Sequence, residues 1–541
     1  MTTLNDWQPA SPWTSQSATQ LARHLAQGDV TASEVVEAHI RRIEQVDRDV
    51  HALVVPRFEQ AREEAASADR ARQAGERLGP LHGVPITIKE CLDLQGTPTT
   101  MGLATRAHGQ ATHDAVVVQA LRRAGAIVLG KTNVPQLMLY HESENPLYGS
   151  TLNPWQLSRT SGGSTGGEAA LLAVGGTPLG VGTDMGGSIR VPAHFCGVHG
   201  LKPTSRRLSL LGLATSLPGM QAIGIQPGPM ARSVEDLELM LRVLLDDVAT
   251  GSDPKVAPVP MRPASVPSHT PGALPGMRIG VWSGESMFPV APAIRRALRE
   301  AAHHLEKAGA IVEDFHPSDV EAAVEVYVRL AGADGGDGIR ELLQGNELAA
   351  GVERMRRMAA FPSWTRPLLS ALAAARGEVH LSHFLRWTQR QSAAHYWKWS
   401  ARQSELKNGF YRQWQSRAWD AVICPPYALP AIPHGTGVDL LVAASCTLLI
   451  NLVDAPAGVV AATRVREGEE SDRPESRDGV DRRARRAEKG SAGLPVGVQV
   501  VALPWREDRV LAVMVELERA FRTQPDYPAT PLTCHPARPR V

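Results

Sequence analysis

Apolar residues recur with helical spacing in the first part of the chain. From Thr31 to Val46 they fall at every third or fourth position, which predicts an amphipathic helix, and Thr31 with Glu34 forms the capping-box pattern of a helix start. Further helices are predicted over residues 17–27 and, in a segment rich in Ala, Glu and Arg, over 59–79. We expect these helices to lie on the outside of the molecule.

Short apolar runs then alternate with helical segments. Strands are predicted over 84–89, 126–130, 179–182 and 277–282, and helices over 116–124 and 167–174. This alternation indicates an α/β layer structure, in which helices cover a sheet.

Two segments depart from this pattern. Residues 254–275 contain seven prolines, so we predict an extended linker or loop at 251–275. Residues 464–489 are nearly all Arg, Glu, Asp, Ser and Gly, a composition that cannot bury an apolar face. We predict a mobile insertion there.

Charge and cysteine content exclude several functions. The 541 residues carry 57 basic and 56 acidic side chains, whereas a nucleic-acid partner would require a basic excess. We find no signal-peptide pattern at the start, and the longest apolar stretch, 440–453, is too short to span a bilayer, so a cytoplasmic protein is expected. The five cysteines lie far apart without a CxxC pair, which predicts neither a disulfide framework nor a metal site.

Two common sequence motifs are present, but the elements predicted around them do not fit the functions that these motifs usually serve. Residues 125–132 fit the phosphate-loop pattern, yet a helix precedes them and the intervening residues are those of a buried strand. Residues 162–166 fit the GxSxG nucleophile elbow, yet the upstream residues are polar and include a proline. We therefore disfavour nucleotide binding, and also a histidine triad using His194 or His199.

A stronger signal is a pair of glycine-flanked serines, Ser164 and Ser188. Glycines let backbone amides approach a reacting carbonyl closely. Lys89 ends a predicted strand that enters the interior, where burial lowers a lysine pKa and lets the neutral amine act as a base. The alternatives are two structural glycine turns, and a salt bridge from Lys89 to the adjacent Glu90.

These segments together resemble one enzyme family. Residues 83–89, 161–168, 184–190 and 196–204 resemble the amidase signature family, and the order of motifs agrees from about residue 31 to about 521. The resemblance implies an α/β fold with a central mixed β-sheet surrounded by helices. It also implies one catalytic domain in two parts, 1–250 and 276–523, with a tail at 524–541.

The resemblance also assigns roles. It implies cleavage of amide bonds without a cofactor by a Ser-Ser-Lys triad, in which Ser188 is the nucleophile, Ser164 the bridging serine and Lys89 the base. The same comparison places the oxyanion hole at the backbone amides of Met185, Gly186, Gly187 and Ser188, and places Met138 in the pocket lining.

Five further stretches resemble the branch of the family that cleaves fatty acid amides: 88–91, 145–148, 333–336, 362–364 and 493–505. They imply a small-molecule lipid amide as substrate, with free acid and an amine or ammonia as products, and a homodimer. The alternatives are a broad amidase for short or aryl amides and a glutaminase-type subunit of a tRNA-dependent amidotransferase.

Three features bear on the substrate. Thr165 stands where the mammalian enzyme of that branch has a second serine, and Leu139 stands where its acyl channel is aromatic. Residues 355–376 combine Phe361, Trp364 and several leucines with arginines including Arg366. Such a segment is expected either to contact a membrane surface and admit substrate, or to form an ordinary packed helix pair.

Overall fold

An eleven-stranded mixed β-sheet runs through the centre of the molecule, with helices on both sides. The computed structural model describes residues 7, 11–248, 251, 253–262, 274–362 and 364–533. The predicted α/β class with a central mixed sheet is confirmed.

The strands are β1 (Leu53–Pro56), β2 (Pro85–Lys89), β3 (Ile127–Thr132), β4 (Glu144–Asn145), β5 (Gly149–Ser150), β6 (Leu152–Asn153), β7 (Gln156–Thr160), β8 (Leu179–Asp184), β9 (His199–Lys202), β10 (Gln226–Ala231), β11 (Arg278–Val281), β12 (Ile311–Asp314), β13 (Ala421–Cys424), β14 (Ala457–Arg464) and β15 (Pro495–Val501). The helices are α1 (Ala18–Gln27), α2 (Ala32–Val50), α3 (Phe58–Gln73), α4 (Val116–Arg123), α5 (Gly166–Ala173), α6 (Arg190–Cys196), α7 (Val234–Val248), α8 (Pro292–Lys307), α9 (Val320–Ala331), α10 (Asp337–Leu342), α11 (Ala350–Ala359), α12 (Arg366–Ala375), α13 (Val379–Trp387), α14 (Ala393–Arg417), α15 (Ser445–Leu452), α16 (Gly479–Glu488) and α17 (Glu507–Phe521).

The strand order across the main sheet is β1-β3-β2-β8-β10-β9-β14-β15-β13-β11-β12. β2 is parallel to β3 and β8, and β11 is parallel to β12 and β13, whereas the other neighbours are antiparallel. Strands from the first and second halves of the chain therefore meet in one sheet at the β9·β14 pair. Two small hairpins, β4·β5 and β6·β7, lie outside it.

Local sequence signals fix the first helices. Thr31 and Glu34 form the predicted capping box at the start of α2, and Ser17 forms a second one at α1. α3 ends at Gln73 rather than at residue 79, and the chain turns directly afterwards at Gly75, whose φ of +72° suits glycine. The predicted end of this helix is therefore wrong.

Residues 464–489 complete β14 and then form a loop and α16, packed against the rest of the protein. The ion pair of Arg473 with Glu488 (2.9 Å) is almost fully buried, and Arg159 donates hydrogen bonds to the carbonyls of Ala487 and Lys489. The premise of the predicted mobile insertion, that the segment buries no face, is wrong. Composition misses this packing because a buried ion pair is added to a few buried apolar side chains, among them Ala484 and Ala487.

The segment 355–376 is divided between the end of α11 and α12, and α13 packs against α12. Arg366 is buried, with its guanidinium donating to the carbonyls of Ala359, Phe361 and Thr388. Arg366 therefore connects the end of α11 to the end of α13, and it is not part of an exposed basic face. Within the described residues, the helices are too short or too polar to cross a bilayer.

The linker and the tail are described only in part. Residues 253–262 form neither helix nor strand, in agreement with the predicted linker, whereas 263–273 lie outside the described residues. In the tail, Leu532 donates its backbone N–H to the Ala173 carbonyl (2.8 Å) and accepts from Arg42 (2.7 Å). The tail up to residue 533 is thus attached to α5 and α2, and residues 534–541 lie outside the described part.

Candidate functional site

Lys89 lies at the end of β2 with its side chain completely buried. Its Nζ is 2.7 Å from Ser164 Oγ, 2.8 Å from Thr183 Oγ1 and 3.4 Å from the Thr183 carbonyl oxygen. β2 and β8 are parallel neighbours, which is why the lysine of one strand reaches the threonine of the other. The predicted burial of Lys89 is confirmed.

Burial lowers the pKa of Lys89 from 10.5 to about 8, because the charged ammonium loses its hydration. Glu90 does not form the alternative salt bridge, since its carboxylate accepts hydrogen bonds from the backbone amides of Thr100 and Met101. No carboxylate neutralises Lys89 by direct contact within the described residues. The site therefore holds an amine that loses its proton about 2.5 pH units below an ordinary lysine.

The two serine turns are joined through their backbones. The N–H of Thr165 donates to the Ser188 carbonyl oxygen at 3.1 Å. Ser164 is buried, its preceding peptide bond is cis, and Ser143 Oγ accepts from Gly166 N–H and donates to the Gly162 carbonyl. Ser188 is half-buried, and its Oγ has no hydrogen-bond partner within the described part of the chain.

Residues 185–188, hereafter the oxyanion loop, present backbone amides in two different states. The amides of Met185, Gly186 and Ser188 have no acceptor within the described ranges, so they can donate to a bound molecule. The amide of Gly187 donates to Asp184 Oδ1 at 2.9 Å. Of the four amides that the resemblance assigns to the oxyanion hole, that of Gly187 is therefore already engaged within the protein.

Sequence reasoning missed the charged network beneath this loop. Arg190 donates to both oxygens of Asp184 (2.9 and 3.0 Å), and it also reaches Gln499 (2.6 Å) and Asn451. Although burial alone raises the pKa of the Asp184 carboxyl, the guanidinium of Arg190 holds it below its ordinary value. The signal available in the sequence was an acid and an arginine at the two ends of one glycine-rich motif.

Met138 lies in an apolar cluster, hereafter the Met138 cluster, which is separate from the main core. Its half-buried members include Met138, Leu139, Ile339, Leu342, Met355 and Met358. The neighbouring residue His141 bonds to the Gly186 carbonyl oxygen at 3.2 Å, which places the chain segment after Met138 against the oxyanion loop. Two cavities, of about 390 and 340 Å³, lie elsewhere and are not lined by Ser188.

The disfavoured motifs are structural. The residues of the phosphate-loop pattern form the fully buried β3, in which Lys131 donates to Thr99 Oγ1 and the Pro98 carbonyl. A strand, β7, does precede Ser164, contrary to the expectation from sequence. In the described part of the chain it pairs with β6 in a small hairpin and forms a single bridge from Arg159 to Pro433, but it is not part of the main sheet. Within the described residues, the two motifs therefore form neither a strand-to-helix phosphate loop nor a sheet-edge elbow.

His194 and His199 serve the fold. His194 Nδ1 accepts from Gly497 N–H at 2.9 Å and its Nε2 bonds to the Leu429 carbonyl at 3.0 Å. His199 lies 3.3 Å from a Glu518 oxygen. Because their polar atoms are paired with the second half of the chain, these histidines do not act on Ser164.

Three residues of the kinds that bind metal ions lie close together within the described residues: His380, Asp478 and Asp481. Asp478 caps α16 through Val480 N–H, and the Arg473 guanidinium lies 3.7 Å from Asp481 Oδ1. A cation at this place would face an arginine and compete with a helix cap. The arrangement therefore does not favour a metal.

Comparison with known proteins agrees with this geometry. The model of the amidase family matches residues 34–511, and the chain belongs to this family. It is an amide-cleaving hydrolase.

Three similarities are informative. Fatty-acid amide hydrolase 1 of Sus scrofa is 35% identical over 506 residues, which cover 92% of this chain and 85% of that protein. A glutamyl-tRNA(Gln) amidotransferase subunit of Salinispora arenicola is 32% identical over 522 residues, covering 94% and 97%. A solved structure of a fatty acid amide hydrolase has a TM-score of 0.81 at 26% identity, covering 94% of this chain and 86% of its own.

Proposed function

We propose that the chain hydrolyses long-chain amides through Lys89, Ser164 and Ser188. The observation that carries this proposal is the buried contact of 2.7 Å between Lys89 Nζ and Ser164 Oγ. Neutral Lys89 takes a proton from Ser164, which takes one from Ser188, whose oxygen attacks the amide carbonyl. This relay is completed only when the Ser188 side chain turns toward Ser164 with substrate bound, since catalytic hydrogen bonds often tighten only in the complex.

The surroundings of Lys89 suit a neutral amine. Such an amine has two N–H donors and one lone pair. The carbonyl and hydroxyl oxygens of Thr183 accept the two protons, and the lone pair is left for the Ser164 hydroxyl. Each group around Lys89 thus has a partner when the amine is uncharged, as a general base requires.

The oxyanion loop supplies the second requirement. As Ser188 attacks, negative charge develops on the carbonyl oxygen, and the free amides of Met185, Gly186 and Ser188 are the donors we assign to it. The relay then runs in reverse and protonates the leaving amine as the C–N bond breaks. Water, activated by the same base, then attacks the resulting acyl-enzyme, and the free acid is released.

The Met138 cluster supports a lipid acyl chain as the group bound beside Ser188. Its half-buried methionines and leucines form an apolar surface that a soluble monomer would otherwise leave partly in contact with water. Met355 and Met358 of α11 extend this surface toward α12. The similarity to fatty-acid amide hydrolase 1 agrees with this substrate class.

The outer face of α12 supports contact with a membrane. Trp364 is 81% exposed and Leu368 65%, with Phe361 and Leu372 also exposed. Apolar side chains of this size are rarely left in water together, and they fit the boundary region of a bilayer. We infer that this face rests on lipid and that substrate passes along α11 to the Met138 cluster.

A chain-length series tests the reaction. Purified protein is given acetamide, an anilide, glutamine, oleamide and an N-acylethanolamine, and released acid is measured by mass spectrometry. We expect rates to rise with chain length and to vanish in Ser188→Ala. Ser158→Ala, at an exposed serine, is the matched control and should retain full activity. Normal turnover by Ser188→Ala would refute the assigned nucleophile.

The same series separates the alternatives. Activity confined to the short and aryl amides would replace the lipid proposal by a broad amidase, and activity on glutamine alone would favour an amidotransferase component. Membrane contact is measured by flotation with phosphatidylcholine vesicles. We expect the protein to float and the double variant Trp364→Ser with Leu368→Ser to stay unbound. A wild-type protein that does not float would refute the membrane contact.

A further inference from the structure

The first three carbonyl groups of the oxyanion loop are each held by a hydrogen bond. The Tyr327 hydroxyl donates to the Met185 carbonyl (3.1 Å), His141 Nε2 lies 3.2 Å from the Gly186 carbonyl, and the Val191 amide donates to the Gly187 carbonyl (2.7 Å). Two of these groups are side chains, and neither lies in the motifs that predicted the site.

Holding a carbonyl also orients an amide. In a trans peptide the C=O and the following N–H belong to one plane and point in opposite directions. The Gly186–Gly187 peptide is held at both ends, by His141 at its oxygen and by Asp184 at its N–H. The Met185–Gly186 peptide is held by Tyr327 at its oxygen alone, because the Gly186 N–H has no acceptor within the described residues.

Tyr327 is well placed to act as a fixed support. It lies on α9, which packs against α15, and only 8% of its surface is exposed. Burial raises the pKa of its hydroxyl, so the group stays protonated and can donate. A Cβ added at Gly186 would lie 2.8 Å from the Tyr327 oxygen, which shows how closely the hydroxyl is set against the loop.

We propose that Tyr327 is a positioning residue, which directs the Gly186 N–H toward the developing oxyanion by holding the Met185 carbonyl from behind. The inference rests on the proposed function, because it requires an oxyanion at this loop. Tyr327 itself does not touch substrate. Its effect should therefore appear in the transition state and not in substrate binding.

The test uses Tyr327→Phe, with decanoyl p-nitroanilide as substrate and a decyl trifluoromethyl ketone as inhibitor. The ketone forms a tetrahedral adduct whose oxyanion requires the loop amides. Loss of a whole oxyanion donor costs about 100-fold to 1,000-fold in kcat, so a misdirected donor should cost roughly 10-fold to 100-fold. We expect kcat to fall by that factor, KM to stay within twofold, and the inhibition constant of the ketone to rise in parallel with the loss in kcat.

Tyr411→Phe is the matched control. Tyr411 also donates its hydroxyl to a backbone carbonyl, that of Val453 at the end of α15, and it packs against the same apolar cluster as Tyr327. This variant should keep wild-type kcat and ketone affinity. If Tyr327→Phe keeps wild-type kcat, or loses kcat without loss of ketone affinity, the inference is overturned. Inactivity of the wild-type protein toward every amide would instead overturn the proposed function.

A second variant, Gly186→Ala, tests the same contact from the side of the loop and leaves Tyr327 intact. Gly186→Ala places a methyl group against the Tyr327 oxygen and should lower kcat by pushing the hydroxyl away. When the hydroxyl is already removed, the methyl group keeps its 3.1 Å contact with Leu448 Cδ2 and meets the nearest ring carbon of residue 327 at 3.6 Å. The double variant should therefore lose less than the two single losses multiplied. Strictly multiplicative losses would contradict direct coupling between the two residues.

Discussion

The buried carboxyl group of Glu168 makes stability depend on pH in a direction that can be calculated. Glu168 lies in the first turn of α5, is fully buried, and its two oxygens meet only the hydroxyls of Thr87 (2.5 Å) and Thr132 (3.1 Å) within the described residues. Burial raises its pKa from 4.5 to about 8. At neutral pH the folded protein therefore holds a proton that the unfolded chain has released.

The sign follows from this difference in bound protons. Stability falls as pH rises wherever the folded state binds more protons than the unfolded state, here from pH 4.5 up to about 8. At about 1.4 kcal/mol for each pH unit, the contribution of Glu168 to the free energy of unfolding should drop by roughly 3 to 4 kcal/mol between pH 5 and pH 8.

The substitution Glu168→Gln removes this pH dependence of stability and keeps the shape of the side chain. The amide oxygen accepts from Thr87, and the amide nitrogen donates to Thr132, whose hydroxyl then turns to the Ile88 carbonyl 3.3 Å away. Urea unfolding of wild type and variant, followed by tryptophan fluorescence from pH 5 to 8, gives the difference in free energy of unfolding. We expect wild type to lose roughly 3 to 4 kcal/mol relative to the variant over this range.

Taking the difference between two proteins cancels the other titrating groups. Glu405→Gln, the same substitution at an exposed position, controls for the change in side-chain chemistry. A difference between wild type and Glu168→Gln that stays constant from pH 5 to 8 would refute the reasoning, because it would mean that the carboxyl group is not kept neutral by its surroundings.

Three further results are expected. The rate constant kcat/KM should rise with pH through about 8, because Lys89 acts in its neutral form, and a flat profile from pH 6 to 9 would exclude it as the base. Thr183→Val should move this midpoint to lower pH, since the lost 2.8 Å hydrogen bond favours the charged amine more than the neutral one; a move to higher pH would contradict this account. Arg473→Met should lower the free energy of unfolding by about 3–5 kcal/mol, because it leaves Glu488 buried without its partner, while kcat at 25 °C stays unchanged. Calorimetry measures the stability and steady-state kinetics measure kcat. A melting temperature equal to that of wild type would show that the ion pair contributes little.

The parts of the site that sequence predicted are those whose signal is local. A lysine at the end of an apolar strand is buried wherever that strand enters a sheet, so the position of Lys89 followed from periodicity alone. Serines between glycines form tight turns for equally local reasons. The capping box of α2 belongs to the same class, because its hydrogen bonds span only three residues.

The parts that sequence did not predict depend on contacts between distant segments. Arg366 looked like a surface residue among other arginines, and only the fold of α11 to α13 shows that three backbone carbonyls surround it. The segment 464–489 was misjudged for a related reason, since Arg473 pairs with the buried Glu488 and donates to the Pro289 carbonyl, contacts that composition cannot reveal.

The oxyanion loop shows how far the local motif depends on the second half of the chain. The loop itself follows β8, but Arg190 beneath it is bound by Asn451 and Gln499, and the loop's carbonyls are bonded by Tyr327 as well as by His141. Arg190 also binds Asp184, which accepts a hydrogen bond from the Gly187 amide. Loss of Asn451 or Gln499 would therefore disturb the loop through this buried charge network. The proposed nucleophile and base therefore lie in short motifs of the first half of the chain, whereas Tyr327, Asn451 and Gln499, which support the loop, come from the second half.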